Sequence, residues 1–310
     1  MSAIVTLTFN PALDKSISIA DLLPDKKLKC SPPVCEPGGG GINVARAIKK
    51  LGGEAKAVYL AGGDNGKMIE ELMTKEAIDN HAIPIKRQTR ENLVIADKAN
   101  HKQYLFDMPG PSVSRREWEK CLNYIDQIPD VAYIIVSGSL PPGVPPGIFE
   151  TIATIAGNKN AKLMVDTSGE ALEVAVKAGV YLIKPNIGEL ASLAGKDKLE
   201  IESIGDIARE VIEKGKCEIV VVSMGRLGAM LVTKDLEISV IPPDLEVKST
   251  VGAGDSMLAG IVLSLIQKKS LVDAVKYGVA CGAAATLCAG TELCKKNDAD
   301  LIYSKLLEKV

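Results

Sequence analysis

Apolar residues follow two rhythms along this chain. After Met108-Pro109-Gly110, apolar runs at Tyr133 to Val136, Leu163 to Asp166, Tyr181 to Lys184 and Glu218 to Ser223 alternate with segments of helical period. Those segments lie around Arg116 to Ile128, Ile148 to Ala156, Glu170 to Ala178, Glu189 to Leu193 and Ile204 to Lys214. Strands apolar at every position need cover on both faces, so this part predicts a parallel sheet between layers of helix. A hairpin is expected over Met230 to Ile241. The chain opens in the same style, with a strand at Ile4 to Phe9, a helix from Ile42, a strand at Ala55 to Leu60 and an amphipathic helix at Met68 to Ala77. Strict alternation interrupts it at Lys15 to Ile19, Lys26 to Cys30, Ile83 to Lys86, Leu93 to Ala96 and Gln103 to Asp107. Period two is the mark of half-exposed strands. These predict a small sheet standing off the main body as a lid, with an edge or face that wants a partner. The expected division is an α/β core of residues 1–14, 32–82 and 109–310, with a discontinuous β-sheet lid of residues 15–31 and 83–108.

Composition narrows the function classes. The chain has 310 residues, 46% of them hydrophobic, enough for a large core. Its net charge of −2, with both signs interspersed, offers no basic face for nucleic acid. No uninterrupted apolar run reaches the roughly 18 residues of a membrane span, and the N-terminus reads as a strand without a cationic lead. Seven cysteines without a Cys-x-x-Cys pair read as small core residues of a reducing cytosol, so a cytoplasmic protein is expected. Two histidines, His81 and His101, both in polar surroundings, exclude a His-based triad or zinc site.

The stretch Thr250-Val251-Gly252-Ala253-Gly254-Asp255-Ser256 stands before the apolar run Met257 to Ile266. A glycine turn opening into a buried helix makes an anion site from its free N–H groups. Asp255 would repel an anion there, unless it takes a proton from a hydroxyl while the N–H groups hold a transferring phosphate. Gly38-Gly39-Gly40-Gly41 fits neither a dinucleotide loop nor a Walker loop. It lets backbone approach a ligand closely, with Asn43 on the first helical turn as donor and acceptor. Asp14 and Ser139, each following a strand, are placed for sugar hydroxyls. Asn186 and Glu189, one helical turn apart after Lys184, suit a magnesium ion or its waters. Ser223-Met224-Gly225-Arg226-Leu227-Gly228 opens a glycine-rich turn. Lys27 and Arg90, in the lid segments, are candidates for a substrate phosphate. Taken singly, each has a plainer reading: a turn, a hinge, a helix cap or a solvated charge.

Together, and in this order, the motifs resemble the PfkB-type carbohydrate kinase family, which has the ribokinase fold. The resemblance spans Asn10-Pro11-Ala12-x-Asp14, Gly38 to Asn43, Ser137-Gly138-Ser139, Asn186-x-x-Glu189, Ser223-x-Gly225 and Thr250 to Asp255. It is greatest to the family's 6-phosphofructokinase branch, because Gly40 stands where the 1-phosphofructokinase and tagatose-6-phosphate kinase branches commonly carry Lys. It implies ATP-dependent phosphorylation of fructose 6-phosphate at its 1-hydroxyl, with Asp255 as base and the N–H groups of Gly252, Ala253 and Gly254 as anion hole. By the same resemblance Asp14, Gly39, Asn43 and Ser139 hold the sugar, and Lys27 and Arg90 its phosphate. Lys184, Asn186, Ser223, Gly225 and Gly228 serve ATP, and Glu189 holds Mg2+ through water. A homodimer through the lid is expected. Leu105 departs from the family's basic lid residue and Gly188 from a Lys beside the nucleotide. The rival readings are a tagatose-6-phosphate kinase, a 1-phosphofructokinase, or a sugar-phosphate or nucleotide binding protein without turnover.

Overall fold

The computed structural model describes residues 4–288 and 290–308. The first third of the chain runs β1 (Ile4–Thr8), β2 (Ala12–Ile19), β3 (Val34–Gly38), α1 (Gly40–Lys50), β4 (Lys56–Ala61), α2 (Gly63–Lys75), β5 (Asp79–Pro84), β6 (Arg90–Asp97) and β7 (Lys102–Phe106). Then come α3 (Arg115–Gln127), β8 (Tyr133–Ser137), α4 (Ile148–Asn158), β9 (Lys162–Asp166), α5 (Gly169–Ala178), β10 (Val180–Ile183), α6 (Ile187–Leu193) and α7 (Ile204–Lys214). The last part holds β11 (Cys217–Ser223), β12 (Ala229–Val232), β13 (Glu237–Val240), α8 (Ala253–Ile266), α9 (Leu271–Ala285) and α10 (Lys296–Glu308).

Nine strands form the main sheet in the order β13-β12-β11-β10-β9-β8-β1-β4-β5, parallel from β11 through β5 and antiparallel in the β11-β12-β13 meander. Its strands bury both faces because successive side chains alternate between two cores. Tyr133 and Ile135 of β8 face one core, with α1, α2 and α8 to α10. Ile134 and Val136 face the other, under α3 to α7. This is the α/β, ribokinase-like architecture expected from the rhythm of the chain.

The second sheet, β3-β2-β6-β7, stands apart from the first. β2 runs parallel to β6 from Ala12 opposite Arg90 to Ile19 opposite Asp97, and β3 and β7 flank them antiparallel. Three local expectations change. Lys26 to Cys30 is no strand: Pro24 lacks an N–H and Asp25 turns through φ 55°, so only Cys30 bridges back to Ile19. The fourth strand is instead β3, running through Pro37 into Gly38, tolerable because β3 is an edge. Ile83 and Pro84 belong to β5 of the main sheet, not the lid. The small sheet thus draws on residues 12–19, 34–38 and 90–106. Five of the seven cysteines are buried as expected, whereas Cys30 is exposed.

Helix α8 packs on α9 at small residues. A Cβ on Gly278 would lie 2.5 Å from Ile261 Cγ1 and 2.8 Å from the Met257 carbonyl oxygen. Gly278→Ala therefore separates the two helices, and the strain outweighs the gain of about 1 kcal/mol in helix propensity. A net loss of about 1–2 kcal/mol in urea unfolding is expected; an unchanged or raised midpoint counts against this packing.

Candidate active site

The carboxyl ends of β1, β8, β9 and β10 open on one side of the sheet, where ligands of open α/β folds bind. Helix α8 points its N-terminus there. Gly252 is its N-cap at φ 72°, and a Cβ at that position would lie 2.6 Å from Leu293 Cδ2. No side chain caps this end. Ala253 N–H makes a long 3.4 Å contact with the Thr250 carbonyl. The free N–H groups of such a first turn present partial positive charge to an anion.

Asp255 projects from that turn. Its Oδ2 accepts from Asn43 Nδ2 at 3.0 Å, and its Oδ1 from the Ser137 hydroxyl at 3.4 Å. Burial, then the nearby Asp166 charge, pushes its carboxyl up to about 6, against the pull of Asn43, Lys184 and Ser137. Lys184 is buried at 6% exposure, with Nζ 3.2 Å from Asp166 Oδ2. Burial works against its charge, but Asp166, Asp255 and Glu189 outweigh that and hold its ammonium above the usual lysine value. A Cβ on Gly254 would lie 3.0 Å from Lys184 Nζ, so the ammonium sits directly behind the first turn of α8.

On the lid side, Asp14 is the third residue of β2. Its Oδ1 accepts from Asn92 Nδ2 at 2.9 Å. Burial pushes its carboxyl up to about 6 as well, opposed by Asn92, Arg90 and Arg46. Gly38 has no room for a side chain, since a Cβ would fall 2.1 Å from Asp14 Oδ2. Arg90 pairs with Asp107 and donates to the Met108 carbonyl at 2.9 Å and the Asn10 carbonyl at 3.2 Å. Asn10 in turn donates to the Ser139 hydroxyl at 2.9 Å. Asn10 Oδ1 and Arg90 Nε are buried without a hydrogen-bond partner, two polar atoms left for a ligand to satisfy. Gly39 takes φ 111° at the N-cap of α1. Lys27 is exposed on the connection from β2 to β3.

On the other side of α8's N-terminus lies a cavity of about 380 Å³. Ser223, Gly225, Gly228, Ala253 and Gly254 line it, so it runs from the turn after β11 to the anion site. Asn186 and Glu189 cap α6 reciprocally, Asn186 N–H to Glu189 Oε2 at 2.8 Å and Glu189 N–H to Asn186 Oδ1 at 2.9 Å. They lie outside that lining. Burial, and the Asp166 charge, raise the Glu189 carboxyl. Asn10 and Ser137 entered the sequence reading only as members of motifs, without a role of their own, and Asp166 and Asn92 escaped it. Asp166 left a signal, as a carboxylate ending an apolar strand.

The raised carboxyl of Asp255 has a cost in stability. The folded state keeps its proton up to about pH 6, whereas an unfolded aspartate loses it near 4. Stability therefore falls as pH rises from about 4 to 6 and stays lower above that window. Asp255→Asn removes the charge and is expected to raise stability at pH 7.5 by on the order of 1–2 kcal/mol, a gain that vanishes below about pH 4. Thermal unfolding at both pH values checks it; equal stability at pH 7.5 contradicts the assigned environment.

Comparison with known proteins accords with this geometry. Residues 8–298 match the pfkB family carbohydrate kinase. The chain is 40% identical over 307 residues to ATP-dependent 6-phosphofructokinase isozyme 2 of Escherichia coli K12, covering 99% of each sequence. To isozyme 2 of Mycobacterium tuberculosis it is 37% identical over 306 residues, covering 98% of this chain and 90% of the relative. A crystal structure of the E. coli phosphofructokinase-2 in complex with potassium superposes with a TM-score of 0.95 at 40% identity, over 99% of this chain and 100% of the other. A second structure, with a TM-score of 0.93, is of the tetrameric inhibited form of that enzyme. The match runs through both sheets and the turn that opens α8, and this chain belongs to the pfkB family of carbohydrate kinases.

Proposed function

We propose that this chain transfers the γ-phosphoryl group of ATP to the 1-hydroxyl of fructose 6-phosphate, yielding fructose 1,6-bisphosphate and ADP. The observation that carries this reading is a carboxylate, Asp255, beside the uncapped first turn of α8, with a cavity on one side and Asp14, Asn43 and Arg90 on the other. The names and near-complete coverage of the relatives support the choice of substrates.

ATP lies in the cavity along Ser223, Gly225 and Gly228, its γ-phosphate against the N–H groups opened by Gly252, Ala253 and Gly254. Lys184 behind that turn offsets the charge gathering on the phosphoryl oxygens, and Lys184, Asn186 and Ser223 fix the neighbouring loops. Asp14, Gly39, Asn43 and Ser139 hold the sugar. Arg90 holds the 6-phosphate, and Lys27 joins it only from the exposed side. Asp255 accepts the proton of the 1-hydroxyl as its oxygen attacks phosphorus. A base whose carboxyl is raised to about 6 is ionised at neutral pH yet basic enough to take that proton. Phosphoryl transfer needs positioning and charge neutralisation above all, and the site supplies both.

The residues present fit a magnesium ion. Glu189 and Asp166 are hard carboxylates near enough for the charge of one to act on the other, and Mg2+ ordinarily takes one or two carboxylates with phosphate oxygens and waters. Glu189, through water, and Asp166 would hold it, and it would neutralise charge on the transferring phosphates. The exposed Val34, Leu105 and Phe106 on the small sheet support a homodimer formed through the lid. Seven free cysteines fit a reducing compartment, and the reading places the protein in the cytoplasm.

ADP release over a panel of fructose 6-phosphate, fructose 1-phosphate, tagatose 6-phosphate and fructose tests the reading. The highest kcat/KM is expected with fructose 6-phosphate, and a higher value for another sugar displaces it. Asp255→Asn is expected to lower kcat by about 10²–10⁴-fold, the usual contribution of a positioned base, while fructose 6-phosphate binds within a few-fold of wild type. Normal turnover of that variant removes Asp255 from the role.

A further inference from the structure

Asp14 and Asn92 sit directly opposite each other in the parallel pairing of β2 and β6. We infer that Asn92 is a positioning residue that ties the sugar-binding carboxylate of Asp14 and the phosphate-binding guanidinium of Arg90 into one unit. This inference rests on the proposed fructose 6-phosphate site.

The Asn92 amide spends both of its ends. Its Nδ2 donates to Asp14 Oδ1 at 2.9 Å, and its Oδ1 accepts from the Met108 N–H at 3.2 Å. A carboxylate only accepts and a backbone N–H only donates, so chemistry fixes which way the amide points. The same Met108 turns its carbonyl to Arg90 Nη1 at 2.9 Å, beside the Asp107 carboxylate. Arg90 and Asn92 share a face of β6, being two residues apart on one strand. A continuous path therefore runs from Asp14 through Asn92 and Met108 to Arg90. It joins the group suited to sugar hydroxyls to the group suited to the far phosphate.

The path also sets the charge of Asp14. An ionised carboxylate accepts from two hydroxyls more strongly than a protonated one, which carries a competing O–H donor. The charges facing it are Arg90 from β6, Arg46 from α1 and Glu36 from β3. Burial pushes Asp14 up to about 6, and the Asn92 N–H is the largest influence holding it down, ahead of either arginine. Taking that donor away drives the carboxyl higher still, so sugar binding fails at a higher pH.

The test is calorimetric binding of fructose 6-phosphate without nucleotide, from pH 5 to 9, on wild type, Asn92→Leu, Asp14→Asn, Arg90→Ala and the Asn92→Leu/Arg90→Ala pair. Leu keeps the branched shape of Asn, with somewhat more bulk, and neither donates nor accepts. In wild type binding weakens below about pH 6, the value of Asp14. In Asn92→Leu the onset is expected about one unit higher, and affinity at pH 8 about tenfold lower, as befits a lost charge-assisted hydrogen bond. The KM for ATP stays within about twofold, because the nucleotide side is untouched. The double variant loses less than the product of the two single losses, since both act on one unit. An unmoved onset, or fully multiplicative losses, overturns the inference. Asp14→Asn separates it from the reading beneath: if that variant binds like wild type, site and inference fall together. If it weakens binding while Asn92→Leu does not, the inference alone falls. Should Asn92→Leu fail to fold, judged by ADP binding and thermal unfolding, Asn92→Ala takes its place. Ala also lacks the donor and adds no charge beside Asp14, so the same shift is expected.

Discussion

A carboxylate and an anion site repel each other, yet here they share the first turn of one helix. Asp255 stays at that turn because Asn43 donates to one of its oxygens and Ser137 to the other. Lys184 stands behind the same turn and remains charged despite its burial, because Asp166, Asp255 and Glu189 surround it. The ammonium is tolerable in its burial only because these carboxylates surround it. All these groups come from α8, α1, the ends of β9 and β10, and α6, and only a sheet wound on both faces brings those segments to one edge. The fold is the means of assembling that balance of charge.

Close approach of backbone is the second requirement, and it serves neighbouring side chains as much as any ligand. A Cβ on Gly38 would strike Asp14 Oδ2, and one on Gly40 would lie 2.2 Å from Ser137 Oγ. Gly40 is thus filled from behind by the hydroxyl that donates to Asp255. A lysine at that position would need another placement of Ser137.

Periodicity made the main sheet legible, because a strand buried on both faces has no polar position to hide. The lid was harder to read. Its strand β3 passes through Pro37 and Gly38, residues that ordinarily signal a break, and only its edge position in a sheet of non-local partners allows them. At the site, Asp255 and Asn43 were visible since glycine-rich turns beside helices are local patterns. Asp166 looked like the last residue of an apolar run. Asn10 stands in a motif that does not tell its partner, and Asn92 carries no local mark at all, because what they touch lies 129 and 78 residues away. Lys27, a basic residue in a lid segment, lies exposed on the connection from β2 to β3.

The two central strands of the small sheet leave the core side by side and in the same direction, with Ala12 opposite Arg90 at their near end and Ile19 opposite Asp97 at their far end. Gly38 of β3 meets the same near row, and Thr89 just before it is tied to Gly62 of the core in both directions. Any rotation of this sheet therefore has its axis near that row. At about 3.3 Å per residue, Asp14 and Asn92 ride a lever arm of roughly 7 Å, and the far end one of roughly 23 Å. A swing that carries the outer edge through 10 Å or so shifts the carboxylate by only about a third as much. The groups proposed to meet the sugar sit close to the pivot, and the part of the sheet that travels furthest carries none of them.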